Sequence, residues 1–118
     1  MPLGEKDATK LTDIVSWARK AVSILGGGGF EALMALEEKR LALTRCIEVV
    51  GEAAHDVSPA VKAALPGIPW TAMYGMRNRL IHEYGNTNYR VVFHVVNDDL
   101  PVVAATIASF LIQQGHVV

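Results

Sequence analysis

The sequence predicts an all-α protein, an antiparallel bundle of five or six helices forming a single domain over residues 1–118. Three observations carry this prediction. Apolar residues return every three or four positions along most of the chain, the spacing that gives a helix one inward face. Proline and glycine occur at intervals that suit helix starts and stops. One stretch, RVVFHVV at Arg90–Val96, has the β-branched density of a strand, but no second strand-like run exists to pair with it, so it is read as helix.

The elements follow in order. From Asp7 to Leu25, the residues Leu11, Ile14, Val15, Ala18, Val22 and Leu25 form an amphipathic stripe, and Gly26 to Gly29 then make a flexible turn. No Lys-Ser/Thr follows those glycines and no strand precedes them, so they do not read as a phosphate loop. Phe30 to about Asp56 reads as one long helix with Leu33, Leu36, Leu43, Ile47, Val50 and Ala54 in a stripe interrupted by Arg40. Cys46, Val49 and Ala53 form a second strip, which either a bundle neighbour or a partner subunit can cover. Ser58-Pro59 caps and opens a short helix that Pro66-Gly67 closes, and Pro69 begins the next. That helix covers residues 70–84, with Gly85 expected in the left-handed conformation of a C-terminal cap. Asp98 or Asp99 should cap a last helix bearing Leu100, Val103, Ala104, Ile107 and Leu111, with Pro101 in its first turn or at a kink.

Composition narrows the function classes. Eleven Lys and Arg against twelve Asp and Glu give a net charge of −1, so any contact with nucleic acid rests on a local, shaped site rather than on bulk charge. The single cysteine, Cys46, allows neither an intramolecular disulfide nor a zinc ribbon, which fits a reducing cytoplasm. No export signal is expected, and no apolar run is seen that approaches the roughly 20 residues needed to span a bilayer.

The chemistry concentrates in residues 73–84. At about 100° per residue, Met73, Met76, Leu80, Ile81 and Tyr84 share one side of the helix, with Arg77 among them. A guanidinium cannot shed its charge, so Arg77 needs a carboxylate such as Glu48 or Glu52, a phosphate, or a solvated cleft. His82 sits in the last turn, where the helix dipole acts on a side chain that titrates near neutrality and suits proton transfer. Asn78, one turn earlier, is placed to orient that ring or bind an oxygen, and Arg79 adds positive charge. Each also has a plain structural reading: an ion pair for Arg77, a cap for His82 and a core aromatic for Tyr84. His94 and Asp98 are spaced to share a metal but read more simply as a cap and a solvated ring. His55-Asp56 ends its helix, and His116 is expected in a frayed tail.

The run Arg77-Asn78-Arg79-Leu80-Ile81-His82-Glu83-Tyr84 resembles the R-X4-H-X-Y signature of HepT-like toxins of the HEPN superfamily. Arg45-Cys46-Ile47-Glu48-Val49-Val50-Gly51-Glu52-Ala53-Ala54, Ile68-Pro69-Trp70 and Asn97-Asp98-Asp99-Leu100-Pro101 resemble further blocks of that family in the same order, over about residues 30–112. The Gly26–Gly29 run matches none of them. The resemblance implies a HEPN-like homodimer and a metal-independent ribonuclease without cofactor, the toxin of a toxin-antitoxin pair. In it His82 would take the proton of a ribose 2′-hydroxyl, Arg77 would stabilise charge on the phosphate, Asn78 would support it and Arg79 would contact substrate RNA, tRNA or mRNA. It also implies that Tyr84 accepts adenylyl groups (AMPylation) from an MntA-like minimal nucleotidyltransferase, the antitoxin. The alternative is a non-catalytic nucleotide- or nucleic-acid-binding subunit of a complex with that transferase. Five helical steps set Arg77 and His82 about 140° apart, so either the last turn unwinds or a two-fold groove brings the two together from different subunits.

Overall fold

The computed structural model describes residues 3–118, except for the side chain of Tyr84. Among the described residues it is helical throughout, without a strand, and measures 46 × 28 × 20 Å. The helices are α1 (Glu5–Leu25), α2 (Gly29–Ala35), α3 (Glu37–Asp56), α4 (Pro59–Ala64), α5 (Trp70–His82), α6 (Tyr89–His94) and α7 (Leu100–Gln113). The all-α bundle expected from the sequence is therefore present.

Helices α1 and α3 run antiparallel, tied at both ends. Lys39 Nζ donates to the Leu25 carbonyl at 3.1 Å at one end. At the other, the Ser58 backbone N–H and hydroxyl donate to the Asp7 carboxylate at 2.9 and 2.6 Å. The Ser58 hydroxyl also accepts from Val61 N–H, the N-cap expected of Ser58-Pro59. Helix α5 runs antiparallel to α3 on its other flank, and α7 packs on α1. Two neighbours account for the two apolar strips of α3. Ile47 and Val50 face Met73 and Met76 of α5, while Cys46 and Ala53 are buried as well. The bundle thus covers most of both strips, while Val49 is half-buried at the edge of a cleft and Leu36 is exposed.

The long helix expected from Phe30 to Asp56 is broken. Leu36 is extended, with φ −126° and ψ 107°, separating α2 from α3. Arg40 makes the break tenable, since its guanidinium donates to the carbonyls of Leu33 and Met34, which a continuing helix would have used. Leu36, assigned to the apolar stripe, is 55% exposed. Gly26 and Gly29 take positive φ (63° and 72°), the turn for which the glycines are suited.

Residues 89–113 behave differently from expectation in the opposite sense. Neither Asp98 nor Asp99 starts a separate helix by a side-chain cap. The π-helical turn Val95–Asp99 joins α6 to α7 without interruption. Pro101 has no N–H for the Asn97 carbonyl and its ring crowds that position, and widening the preceding turn accommodates both. The joined helix is, by length and composition, apolar enough to cross a bilayer, whereas no apolar run of such length was expected from the sequence. Here it lies in the bundle, with Leu100, Val103, Ala104, Ile107 and Leu111 buried. Its end is also ordered. Gly115, at φ 87°, and His116 return their N–H groups to Ile112 and Leu111 at 3.0 and 2.9 Å, so His116 is not frayed. Gly85, by contrast, is not left-handed. Helix α5 stops at His82, and residues 84–86 form a 3₁₀ turn instead.

Candidate active site

Gly51 fixes where Arg77 stands. A Cβ on Gly51 would lie 2.5 Å from the Arg77 Cβ and 2.7 Å from the Met73 carbonyl oxygen, so α3 and α5 approach to a distance only glycine permits. The Arg77 side chain therefore emerges directly over α3. One of its terminal nitrogens, Nη2, lies 3.0 Å from Glu52 Oε2 and the other, Nη1, donates to Asn78 Oδ1 at 2.9 Å. Of the two acids expected as partners, Glu52 is the one used, while Glu48 pairs with Arg45 at 3.5 Å. Arg77 is 26% exposed and Glu52 50%, so this pair is solvated rather than locked inside the core.

The guanidinium carbon of Arg77 also lies 5.7 Å from the ring centre of Tyr74, which in turn stacks on His55 at 3.9 Å with 13° between planes. Sequence reading passed over this pair. Its signal was spacing: His55 follows Glu52 by three residues and Tyr74 precedes Arg77 by three, so both extend the same seam by one turn. Arg77 opens onto a cleft of about 240 Å³ between α1, α3 and α5, which it shares with Lys10, Asp13, Arg45 and Glu48. Cations and acids balance there, so bulk charge will not draw a polyanion in.

His82 is exposed at the last position of α5 and has no hydrogen bond or ion pair among the described residues. Asn78 makes no hydrogen bond to it, and the Asn78 carbonyl oxygen instead accepts from Arg77. The helix is regular through His82, and unwinding begins only at Glu83, where φ is −118°. Loss of the last turn therefore does not turn His82 toward Arg77. His82 is not among the residues lining the Arg77 cleft, and five steps of a regular helix set it about 140° around α5 from Arg77.

Arg79 lies on another side of α5, with Nη2 3.8 Å from the Met76 sulfur, and lines a second cleft of about 240 Å³ with Glu83 and Asn88. Tyr84 begins the 3₁₀ turn, and its side chain lies outside the described residues, as does its expected role as adenylyl acceptor. His94 Nδ1 is 2.6 Å from Asp98 Oδ2, an i to i+4 pair across the π-helical turn. Among the described residues no group of three or more His, Cys, Asp or Glu side chains is spaced to hold a metal.

Comparison with known proteins adds to this geometry. The family described as "Ribonuclease HepT-like" matches residues 14–110. "Putative RNase MJ1380" of Methanocaldococcus jannaschii is 36% identical over 62 residues, which cover 52% of this chain and 57% of that relative. "Probable ribonuclease HepT" of Thermococcus cleftensis is 35% identical over 72 residues, covering 61% and 66%. "Putative RNase MJ0125" of M. jannaschii is 29% identical over 91 residues, covering 77% and 78%. The first two matches thus span less than two thirds of the relatives' length. No solved structure gives a significant match to the chain. The family match runs from within α1 almost to the end of α7 and takes in the whole Arg77–His82 helix, and on that extent the chain belongs to the Ribonuclease HepT-like family.

Proposed function

We propose that this chain is a metal-independent ribonuclease of the cytoplasm that acts as a homodimer, and that it is the toxin of a type II/VII-like toxin-antitoxin pair. The observation that carries the reading is the setting of Arg77. Gly51 presents it at the mouth of a cleft, and its ionic partner Glu52 is half exposed, so an RNA phosphate can take the place of that carboxylate. An arginine meant only to stabilise the fold would gain little from so solvated a pair.

In this reading the substrate phosphodiester lies in a two-fold groove that receives Arg77 and His82 from different helices. His82 takes the proton of the 2′-hydroxyl, and O2′ attacks phosphorus. The bond from phosphorus to O5′ breaks, and the partner's His82 protonates that oxygen. The products are a 2′,3′-cyclic phosphate and a 5′-hydroxyl end, with no net proton change. Positioned acid and base catalysis contributes roughly 10² to 10⁴-fold. Arg77 stabilises the non-bridging oxygens, Asn78 steadies Arg77, and Arg79 contacts the RNA strand. A shaped RNA such as a tRNA or a structured mRNA suits a nearly neutral protein better than an arbitrary strand. Adenylylation of Tyr84 by an MntA-like nucleotidyltransferase would add phosphate charge beside the motif and silence it.

The second reading is a non-catalytic nucleotide- or nucleic-acid-binding subunit of a transferase complex, favoured by the Glu52 pair that neutralises Arg77 in the free chain. Incubating the full chain with defined RNA in the presence of a chelator, and analysing the new ends, separates the two. Cyclic-phosphate and 5′-hydroxyl ends are expected. Binding without cleavage would leave only the second reading.

A further inference from the structure

The second cleft, bounded by α5, the 84–86 turn and the start of α6, has an unusual pairing of charges. Arg79 and Glu83 stand one helical turn apart, the spacing at which arginine and glutamate often pair, yet no ion pair joins them. Both are exposed and both line the cleft. Arg79 rests on the Met76 sulfur and keeps its remaining donors free of any carboxylate among the described residues. Met76 and Leu80 are buried and form an apolar floor with Val91, suited to the face of an aromatic ring. On the rim, Asn88 Oδ1 accepts from the N–H groups of Arg90 and Val91 at 3.1 and 3.3 Å, which leaves the Asn88 amide nitrogen to donate outward.

We propose that this cleft is a subsite for a guanine base, the base of the nucleotide whose 2′-hydroxyl His82 deprotonates, so that cleavage falls on the 3′ side of guanosine. The proposal rests on the ribonuclease reading for its second half. Guanine carries two adjacent acceptors, O6 and N7, that match a guanidinium fork, and two donors, N1–H and the N2 amino group, that match a carboxylate. Adenine offers no such pair of acceptors beside a pair of donors, and cytosine offers a carboxylate only its N4 amino group. Position on the helix supplies the link to chemistry. His82 is about 60° around α5 from Arg79, whereas Arg77 is about 160° away, so the cleft flanks the histidine and not the arginine of the motif.

Titration of the full-length protein with guanosine, adenosine and cytidine 3′-monophosphates, followed by backbone amide NMR, tests the subsite without requiring turnover. The three probes share their phosphate, so differences report the base. Guanosine 3′-monophosphate is expected to bind about tenfold tighter than the others, with shifts at residues 76–91, and Arg79→Ala or Glu83→Gln should erase the preference. Equal affinities, a preference for another base, or a preference that survives both substitutions would overturn the subsite. Mapping of RNA cleavage gives the second arm, in which guanosine 2′,3′-cyclic phosphate ends are expected. Cleavage without base preference would overturn the guanine proposal and leave the ribonuclease standing. Guanosine binding without cleavage would support the subsite and overturn both the nuclease and the assigned cut.

Discussion

Arg77 and Glu52 meet at 3.0 Å across the α3–α5 seam, one residue along α3 from the glycine whose missing side chain lets the two helices touch. The pair is formed by geometry before any substrate arrives, and its solvent exposure makes it exchangeable. An incoming phosphate would keep the arginine's charge compensated while releasing the carboxylate to water.

Glu52→Gln removes the competing charge and keeps an acceptor near Arg77. Fluorescence anisotropy should show tighter RNA binding at low salt for this variant, with a stability change of no more than ~1 kcal/mol for so exposed a pair. Weaker binding would mean that Glu52 holds Arg77 in its working position rather than competing for it.

Gly51→Ala places a methyl group against the Met73 carbonyl and the Arg77 Cβ. The helices must separate, at a cost of ~1 to 3 kcal/mol, typical of overpacking. A urea unfolding midpoint equal to the wild type would show that the seam is looser than described.

The expectations from sequence succeeded wherever one helix carried its own signal. The stripe of α1 apart from Val22, which is exposed while Ala21 is buried in its stead, the Ser58-Pro59 start of α4 and the placing of Arg77 near an α3 acid were legible from spacing and caps. They failed where a distant or missing group decided the outcome. The break at Leu36 depends on the Arg40 side chain reaching back to two carbonyls, and no local propensity records that. Likewise, the absent Pro101 N–H is absorbed by a wider turn rather than a cap, so two predicted segments became one helix. The relation of Gly51 to Arg77 joins residues 26 positions apart, and no periodicity within either helix could have revealed it.

Ser58→Ala removes both the N-cap of α4 and the hydroxyl bond to Asp7 that fastens α3 to α1. A loss of ~1 to 2 kcal/mol is expected from thermal or denaturant unfolding. A change within ±0.5 kcal/mol would place this link among surface contacts of no consequence.

Burial pushes the Cys46 thiol above its ordinary value of 9.0, with the Lys20 ammonium opposing part of the rise. The unfolded chain therefore ionises first. The contribution of the neutral thiol is whole below the ordinary value and is lost as pH climbs toward the folded value. Urea midpoints of wild type and Cys46→Ala, compared from about pH 8 to pH 10, should converge as the wild type loses this term. A constant gap would contradict the assignment.

The central claim is that Arg77 and His82 act on one phosphodiester. Cleavage of a defined RNA in excess chelator should fall at least ~10²-fold for both Arg77→Ala and His82→Ala, with the His82 variant retaining the wild-type melting temperature. Cleavage that persists undiminished in either variant would contradict the account.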